Sequence, residues 1–190
     1  HNTLSVNGEE QMTRAGRFLY LDWAEATFEP LTGNPIEAAQ RISASTGAYA
    51  RLRVRHKRSL MVFKDERWLV EDELLYTGKP GREKDAPVYR LHWLLPDWEW
   101  MIEYIDARTI LRVRSPLGWV NLAISADQPV KRVGLLRAGE LVHGQGLVSP
   151  VFGWVSPTYN VKKPALSLAV EVQSFQNVRF SSEFSFQKVD

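Results

Sequence analysis

Residues 165–173 read ALSLAVEVQ. Leu166, Leu168, Val170 and Val172 occupy every second position, opposite Ala165, Ser167, Ala169, Glu171 and Gln173. A period of two is that of a β-strand, whose successive side chains point to opposite faces. The stretch therefore predicts a strand with one apolar face turned to a core. The same period appears in TLSVNG (3–8), where Leu4 and Val6 alternate before Asn7-Gly8, a dipeptide favoured in tight hairpin turns. LDWAEATFE (21–29) sets Leu21, Trp23, Ala26 and Phe28 among acids. Strand-length runs follow at 67–75, 88–95, 98–105, 109–115, 119–126 and 131–138, punctuated by Pro, Gly, Asn or Asp. The best helix candidate, NPIEAAQRISAS (34–45), is equivocal. A dozen or more strands with little helix predict an all-β fold: an antiparallel β-sandwich of two large sheets, in a single domain over 1–190. YTGKPGREKDAP (76–87) is the one long polar insertion and reads as a mobile hairpin tip.

The chain has 190 residues, enough for one sizeable domain, with 44% apolar and 24% charged residues, an ordinary globular balance. There is no cysteine, which excludes disulfides and thiolate metal sites. The net charge of +2 is below what a dedicated DNA-binding domain carries. No apolar run reaches the ~20 residues of a membrane span, and no signal peptide is visible. The start at His1, without Met, predicts a piece of a longer chain.

Residues 49–63, YARLRVRHKRSLMVF, concentrate the positive charge. Arg51, Arg53 and Arg55 fall on one face of a strand pattern, opposite Leu52 and Val54. The alternation breaks near His56, a polar excursion at Lys57-Arg58 follows, and Leu60 and Val62 resume the phase of Leu52 and Val54. This reads either as a solvated face of a half-buried strand that ends in a turn, or as a row of cations ~7 Å apart that meets repeated anionic groups. Nucleic acid is the weaker target, because aromatics do not interleave with the cations.

Four histidines, His1, His56, His92 and His143, are too far apart for a histidine metal site within this chain. His92 shares strand parity with Arg90 and Leu94 and reads as a structural histidine. His143, between glycines in GELVHGQG, reads as a loop residue. Glu71 and Glu73 share a face, solvated or paired with the basic strand. Trp93, Trp98 and Trp100 flank a Pro-Asp turn, either as core or as a sugar-stacking platform. No phosphate loop, dinucleotide fingerprint or nucleophile elbow is present.

Several stretches, in order, resemble the C-terminal β-sandwich domain of the heparinase II/III-like polysaccharide lyases. They are HNTLSVNGEEQ (1–11), TGAYARLRVRHKRSLMVFKDERWLVEDEL (46–74), YRLHWLLPD (89–97) and GWVSPTYNVKKPALSL (153–168). The resemblance implies an N-terminal α/α-toroid in the same protein and β-elimination on a uronic-acid-containing polysaccharide, in a periplasmic or secreted setting. It implies that the catalytic groups lie outside this chain, which alone is expected to be inactive. Of the family's structural metal site, usually zinc, only His1 has a counterpart here; the His-Gly-His segment and the Asp ligand are missing. No cofactor is expected in the chain alone, and zinc or another divalent metal in the parent. The expected partners are the acidic polysaccharide, met by Arg51, Arg53 and Arg55, and the toroid. The alternative is a non-catalytic carbohydrate-binding or surface-assembly sandwich.

Overall fold

The computed structural model describes residues 2–16, 19–29 and 38–188. Its strands are β1 (Leu4–Val6), β2 (Thr13–Arg14), β3 (Tyr20–Leu21), β4 (Ala26–Glu29), β5 (Ala38–Thr46), β6 (Val54–Phe63), β7 (Trp68–Tyr76) and β8 (Val88–Pro96). They continue as β9 (Trp100–Ile105), β10 (Arg108–Ser115), β11 (Gly118–Ala126), β12 (Val130–Arg137), β13 (Glu140–Gly144), β14 (Trp154–Val155), β15 (Lys163–Gln173) and β16 (Val178–Lys188). Among the described residues there is no α-helix, only single 3-10 turns at Ala50–Leu52 and Glu83–Asp85.

The larger sheet has eight strands in the order β4-β5-β6-β7-β16-β11-β10-β9. The smaller has the order β1-β8-β15-β12-β13, with β14 also paired to β15. The pairs are antiparallel, and the apolar inner faces of the two sheets meet to form one core, as the alternation predicts. From the larger sheet, Val70, Leu74, Leu111, Val113, Leu122, Ile124, Val178 and Phe180 point inward; from the smaller, Leu4, Val6, Tyr89, Leu91, Leu166, Leu168, Val170 and Val172.

β15 is buried on both faces, from Ala165 to Val172. The face bearing Ser167, Ala169 and Glu171 is covered by the segment around β14. Phe152 there lies against Arg90, with the guanidinium 4.8 Å from its ring centroid. The Gly153 carbonyl accepts bonds from the Ala138 and Ala165 amides. Gly153 has φ +71°, and a Cβ there would lie 2.7 Å from the Ala138 nitrogen, so only glycine lets the segment approach so closely. Beneath the segment, buried Glu171 faces Arg132 at 2.9 Å and Arg90 at 3.7 Å. The short-range signals also hold at Asn7-Gly8. Both residues have positive φ, and Val6 and Glu9 exchange two backbone hydrogen bonds across the turn.

Three sequence expectations are corrected. Residues 38–45 of the helix candidate fall in β5, because pairing with β6 along its length overrides a weak helical preference; residues 34–37 lie outside the described residues. Residues 77–87 do not tip a hairpin: they carry the chain from β7 in the larger sheet to β8 in the smaller one. His143 belongs to β13 rather than to a loop.

Leu168 has no exposed surface, whereas Leu117 is 85% exposed at the β10–β11 turn. Leu168→Ala is expected to lower the unfolding free energy by about 2–5 kcal/mol. Leu117→Ala is expected to change it by less than about 0.5 kcal/mol. Urea titrations of both variants check this.

Candidate functional site

The basic stretch folds differently from its strand-like pattern. Ala50–Leu52 form a 3-10 turn, and Arg53 takes the left-handed conformation with φ 60°. The chain enters β6 only at Val54. Arg51, Arg53 and Arg55 therefore do not form a row on one strand face. The Arg53 carbonyl accepts bonds from the Thr77 amide and hydroxyl, at 2.7 and 3.1 Å, which pins this reversal. From Val54 onward the period of two runs unbroken through Phe63. His56 and Arg58 share the inner face with Val54, Leu60 and Val62, so the polar pair at 57–58 is neither an excursion nor a turn.

The reversal places Arg51 and Arg55, but not Arg53, along one groove of about 620 Å³. Its other walls include Asp22, Trp23 and Glu25 before β4, and Ser45 to Ala48 at the end of β5. Trp23 is 81% exposed. Arg51 is held in place: Nε donates to Glu9 Oε2 at 2.9 Å, Nη1 to the Ala48 carbonyl at 3.0 Å, and Nη2 to the Glu10 carbonyl at 3.2 Å. Asp22 accepts from the Thr13 hydroxyl at 2.8 Å. Among the described residues no carboxylate is paired with Arg55. An indole face, a fixed guanidinium, a free one and two carboxylates around one concavity suit a sugar ring bearing both hydroxyls and an acid group. The ring stacks, the hydroxyls donate to carboxylates, and the acid meets arginine.

A second group of polar residues lies inside the core. Asp72 is fully buried on the inner face of β7. It accepts from His56 Nε2 at 2.6 Å, from Arg58 Nε at 2.7 Å and from Arg58 Nη2 at 2.9 Å. Burial raises the Asp72 pKa, but the bonds from His56 and Arg58 outweigh it and hold the carboxyl below its ordinary range. Arg58 Nη1 donates to the Asn2 carbonyl at 2.6 Å, and its guanidinium lies 5.5 Å from the Trp93 ring centroid. The Asn2 side chain accepts from the Leu94 amide at 2.7 Å. The sequence carried a signal for this cluster: Asp72 is in phase with Val70 and Leu74, as His56 and Arg58 are with Val54 and Leu60.

His92 is a structural histidine, as its parity suggests. It lies on the outer face of the smaller sheet, with Nε2 2.7 Å from the Ser167 hydroxyl and its ring stacked on Phe152. Burial, followed by the Arg90 charge, pushes its pKa down to about 3, so it is neutral. Trp93 is core, its Nε1 donating to Ser182 at 3.1 Å, and Trp98 and Trp100 pack against the core. They form no stacking platform; among the described residues the most exposed indole is Trp23. Glu73 lies opposite Lys57 and 3.7 Å from Arg179, on the outer face with Glu71. His1 lies outside the described residues. Among those described, no group of three His, Asp or Glu side chains could hold a metal ion.

A family model described as Heparinase II/III-like, C-terminal, matches residues 1–186. No curated protein matches the chain. Among solved structures it is similar to a heparinase III (BT4657 gene product) at TM-score 0.66 and 14% identity, over 99% of this chain and 24% of that one. It is similar to a mutant of the heparan sulfate lyase HepC from Pedobacter heparinus at TM-score 0.62 and 16% identity, over 100% of this chain and 25% of that one. A further heparinase III gives TM-score 0.64 and 10% identity, over 100% and 24%. The chain thus spans about a quarter of these proteins' length.

The two perturbed groups make distinct acid signatures. The folded Asp72 pKa is depressed, so its stabilisation is full above the ordinary value of 3.8 and is lost as pH falls through the lower folded value. Asp72→Asn is expected to cost about 1–3 kcal/mol at neutral pH, since it disrupts the hydrogen bonds of a fully buried group and leaves the part-buried Arg58 without its carboxylate. His92 acts at higher pH. The unfolded chain takes up its proton below 6.5 and the folded chain only near 3, so stability declines as pH falls between these values. His92→Gln is expected to flatten that decline. Urea unfolding from pH 8 to pH 3 measures both.

Proposed function

The chain belongs to the heparinase II/III-like C-terminal family, and on that premise we propose that its parent is a lyase acting on an acidic, uronate-bearing polysaccharide. The observation that carries the reading is the groove in which Trp23, Arg51 and Arg55 converge with Asp22 and Glu25. The names of the similar structures, heparinase III and heparan sulfate lyase, support the same substrate class.

The reaction proposed is β-elimination. A base takes the proton at C5 of the uronate, whose carboxylate is neutralised so that the resulting negative charge is stabilised. The electron pair forms the C4–C5 double bond, the 4-O-glycosidic bond breaks, and the leaving oxygen receives a proton. The groups that move these protons are proposed to come from an α/α-toroid preceding the sandwich, with the sandwich forming one wall of the cleft. Trp23 stacks a sugar ring, and Arg51 and Arg55 bind acid groups along the strand of substrate. Arg51 arrives with its geometry already fixed by Glu9 and two carbonyls, so little order is lost on binding. Arg53 has its own exposed position and no place in this groove. His1 is proposed as one ligand of a divalent metal, zinc by family likeness, whose other ligands lie outside this chain. A periplasmic or secreted location fits an enzyme whose substrate is a large polysaccharide.

The test is the ultraviolet absorbance of the new uronate double bond. The parent is expected to generate it from a uronate polysaccharide, and the 190-residue chain alone is not. A non-catalytic binding sandwich predicts no absorbance from either. In the parent, Trp23→Ala with Arg55→Gln is expected to raise KM about tenfold, the equivalent of one lost charge-assisted contact. kcat is expected to stay within about twofold, because uniform binding alone is removed. A collapse of kcat at unchanged KM would place these residues at the reacting uronate instead.

A further inference from the structure

A larger concavity lies on the opposite flank of the sandwich. There β9, the free edge of the larger sheet, faces β12 and β13 at the free edge of the smaller one. The β11–β12 connection, residues 127–129, closes one end. The space measures about 780 Å³, within the range of small-ligand sites.

Its polar wall is cationic. Arg108, Lys131 and Arg132 line it, against one acid, Asp127. Asp127 is occupied, because its Oδ1 accepts from the Arg179 amide at 2.8 Å. Arg132 is engaged by Glu171 at 2.9 Å. Lys131 is oriented by a hydrogen bond to Gln173, which leaves its charge uncompensated. Arg108 is exposed, and among the described residues it has no partner. The site thus holds two cations without an ion-pair partner among the described residues, Arg108 and Lys131, against one nearby carboxylate, Asp127, before any ligand enters.

Its apolar wall is an aromatic ring held still. Tyr104 lies on the inner face of β9, in register with buried Thr109 and Ile124, yet 57% of its surface is exposed. Its hydroxyl lies 3.0 Å from His143 Nε2, with the two rings stacked at 6.0 Å. Trp100 meets His143 edge-on from behind, at 6.2 Å. A bond from one sheet to the other thereby fixes the ring's orientation. β13 ends close by at Gly144, with φ +76°, where a Cβ would lie 2.2 Å from the Val133 carbonyl oxygen. Only glycine lets the wall stand so close to β12.

We propose that this flank is a second saccharide site, which binds an acidic oligosaccharide with a sugar ring against Tyr104 and its carboxylate or sulfate groups on Arg108 and Lys131. A flat ring beside unpaired cations selects a ligand with both a stackable ring and negative charge. The ligand class rests on the function proposed above; the placement of the site does not. With one site on each flank, the domain holds a polysaccharide at two separated points, which increases retention through effective concentration.

The test titrates a sulfated uronate–glucosamine tetrasaccharide, and neutral cellotetraose, into the 190-residue chain while amide shifts are followed by NMR. The acidic ligand is expected to move amides at 104–108, 127–133 and 144–145, and cellotetraose to leave them in place. Arg108→Gln with Lys131→Gln is expected to weaken the acidic ligand at this site by about tenfold or more. Tyr104→Ala is expected to weaken it while the amide spectrum elsewhere is retained. Raising the salt should loosen the wild type more than the double variant. The proposal is overturned if the double variant binds here as tightly as the wild type, or if cellotetraose binds equally. It is also overturned if the only shifts map to the Trp23 groove, an outcome that leaves the reading of that groove standing. A wild type that binds no acidic saccharide at either flank overturns both.

Discussion

An ionised carboxyl with no water around it constrains everything near it. Asp72 is such a group, on the inner face of β7 between Val70 and Leu74 and opposite Phe180. Leaving that charge unpaired would cost several kcal/mol, so three charge-assisted hydrogen bonds must be built by the protein itself. Only one register of β6 against β7 provides them, with Arg58 directly across and His56 beside it. A slip of one residue would turn Arg58 and His56 outward and break all three of these bonds to Asp72. The same Arg58 then reaches beyond its own sheet, to the Asn2 carbonyl and the Trp93 ring. The entry of the chain into β1, the register of the larger sheet and the docking of the smaller one are therefore coupled through one carboxylate. A slip of two residues would keep the apolar residues on the inner face but still take Arg58 away from Asp72.

Much of the architecture was legible because alternation is a local signal. Residues 165–172 show a clean apolar period, and they form the central strand whose inner face is core. The Asn7-Gly8 turn was legible for the same reason, since two residues suffice to specify it. What escaped was non-local. Residues 76–87 look like a hairpin tip from within, and only the assignment of β7 and β8 to different sheets makes them a crossover. The outer face that bears Ser167 and Glu171 is covered by the segment around β14, which no local pattern in residues 165–173 announces.

The basic stretch failed in a more instructive way. Polarity suggested that the apolar phase was interrupted at His56, whereas the backbone interruption lies earlier, at Arg53. A non-glycine residue in the left-handed region carries no sequence mark, and it is held there by Thr77, far along the chain. Once Arg53 resets the phase, His56 and Arg58 point inward and their charge belongs to the core. The groove was half legible: Arg51 and Arg55 were singled out, but Trp23, Asp22 and Glu25 reach them only through the pairing of β4 with β5 and β5 with β6.

The positions of both concavities follow from a mismatch between the sheets. The larger sheet outruns the smaller one on both sides. On the rows of its inner face, residues beneath the smaller sheet are buried, as Val70, Ser182 and Ile124 are. Residues at the ends of the same rows are open: Phe28 and Ile42 toward β4 and β5, Tyr104 toward β9. Where the covering layer stops, apolar side chains that alternation turns inward stay partly exposed. A soluble protein leaves such surface uncovered where a ligand or partner meets it. On one flank it adjoins Trp23, Arg51 and Arg55; on the other, Tyr104, Arg108 and Lys131. Each margin thus joins an aromatic ring to cations. The rigidity that positions these rings comes from the core between them, where the buried charge of Asp72 allows the strands a single register.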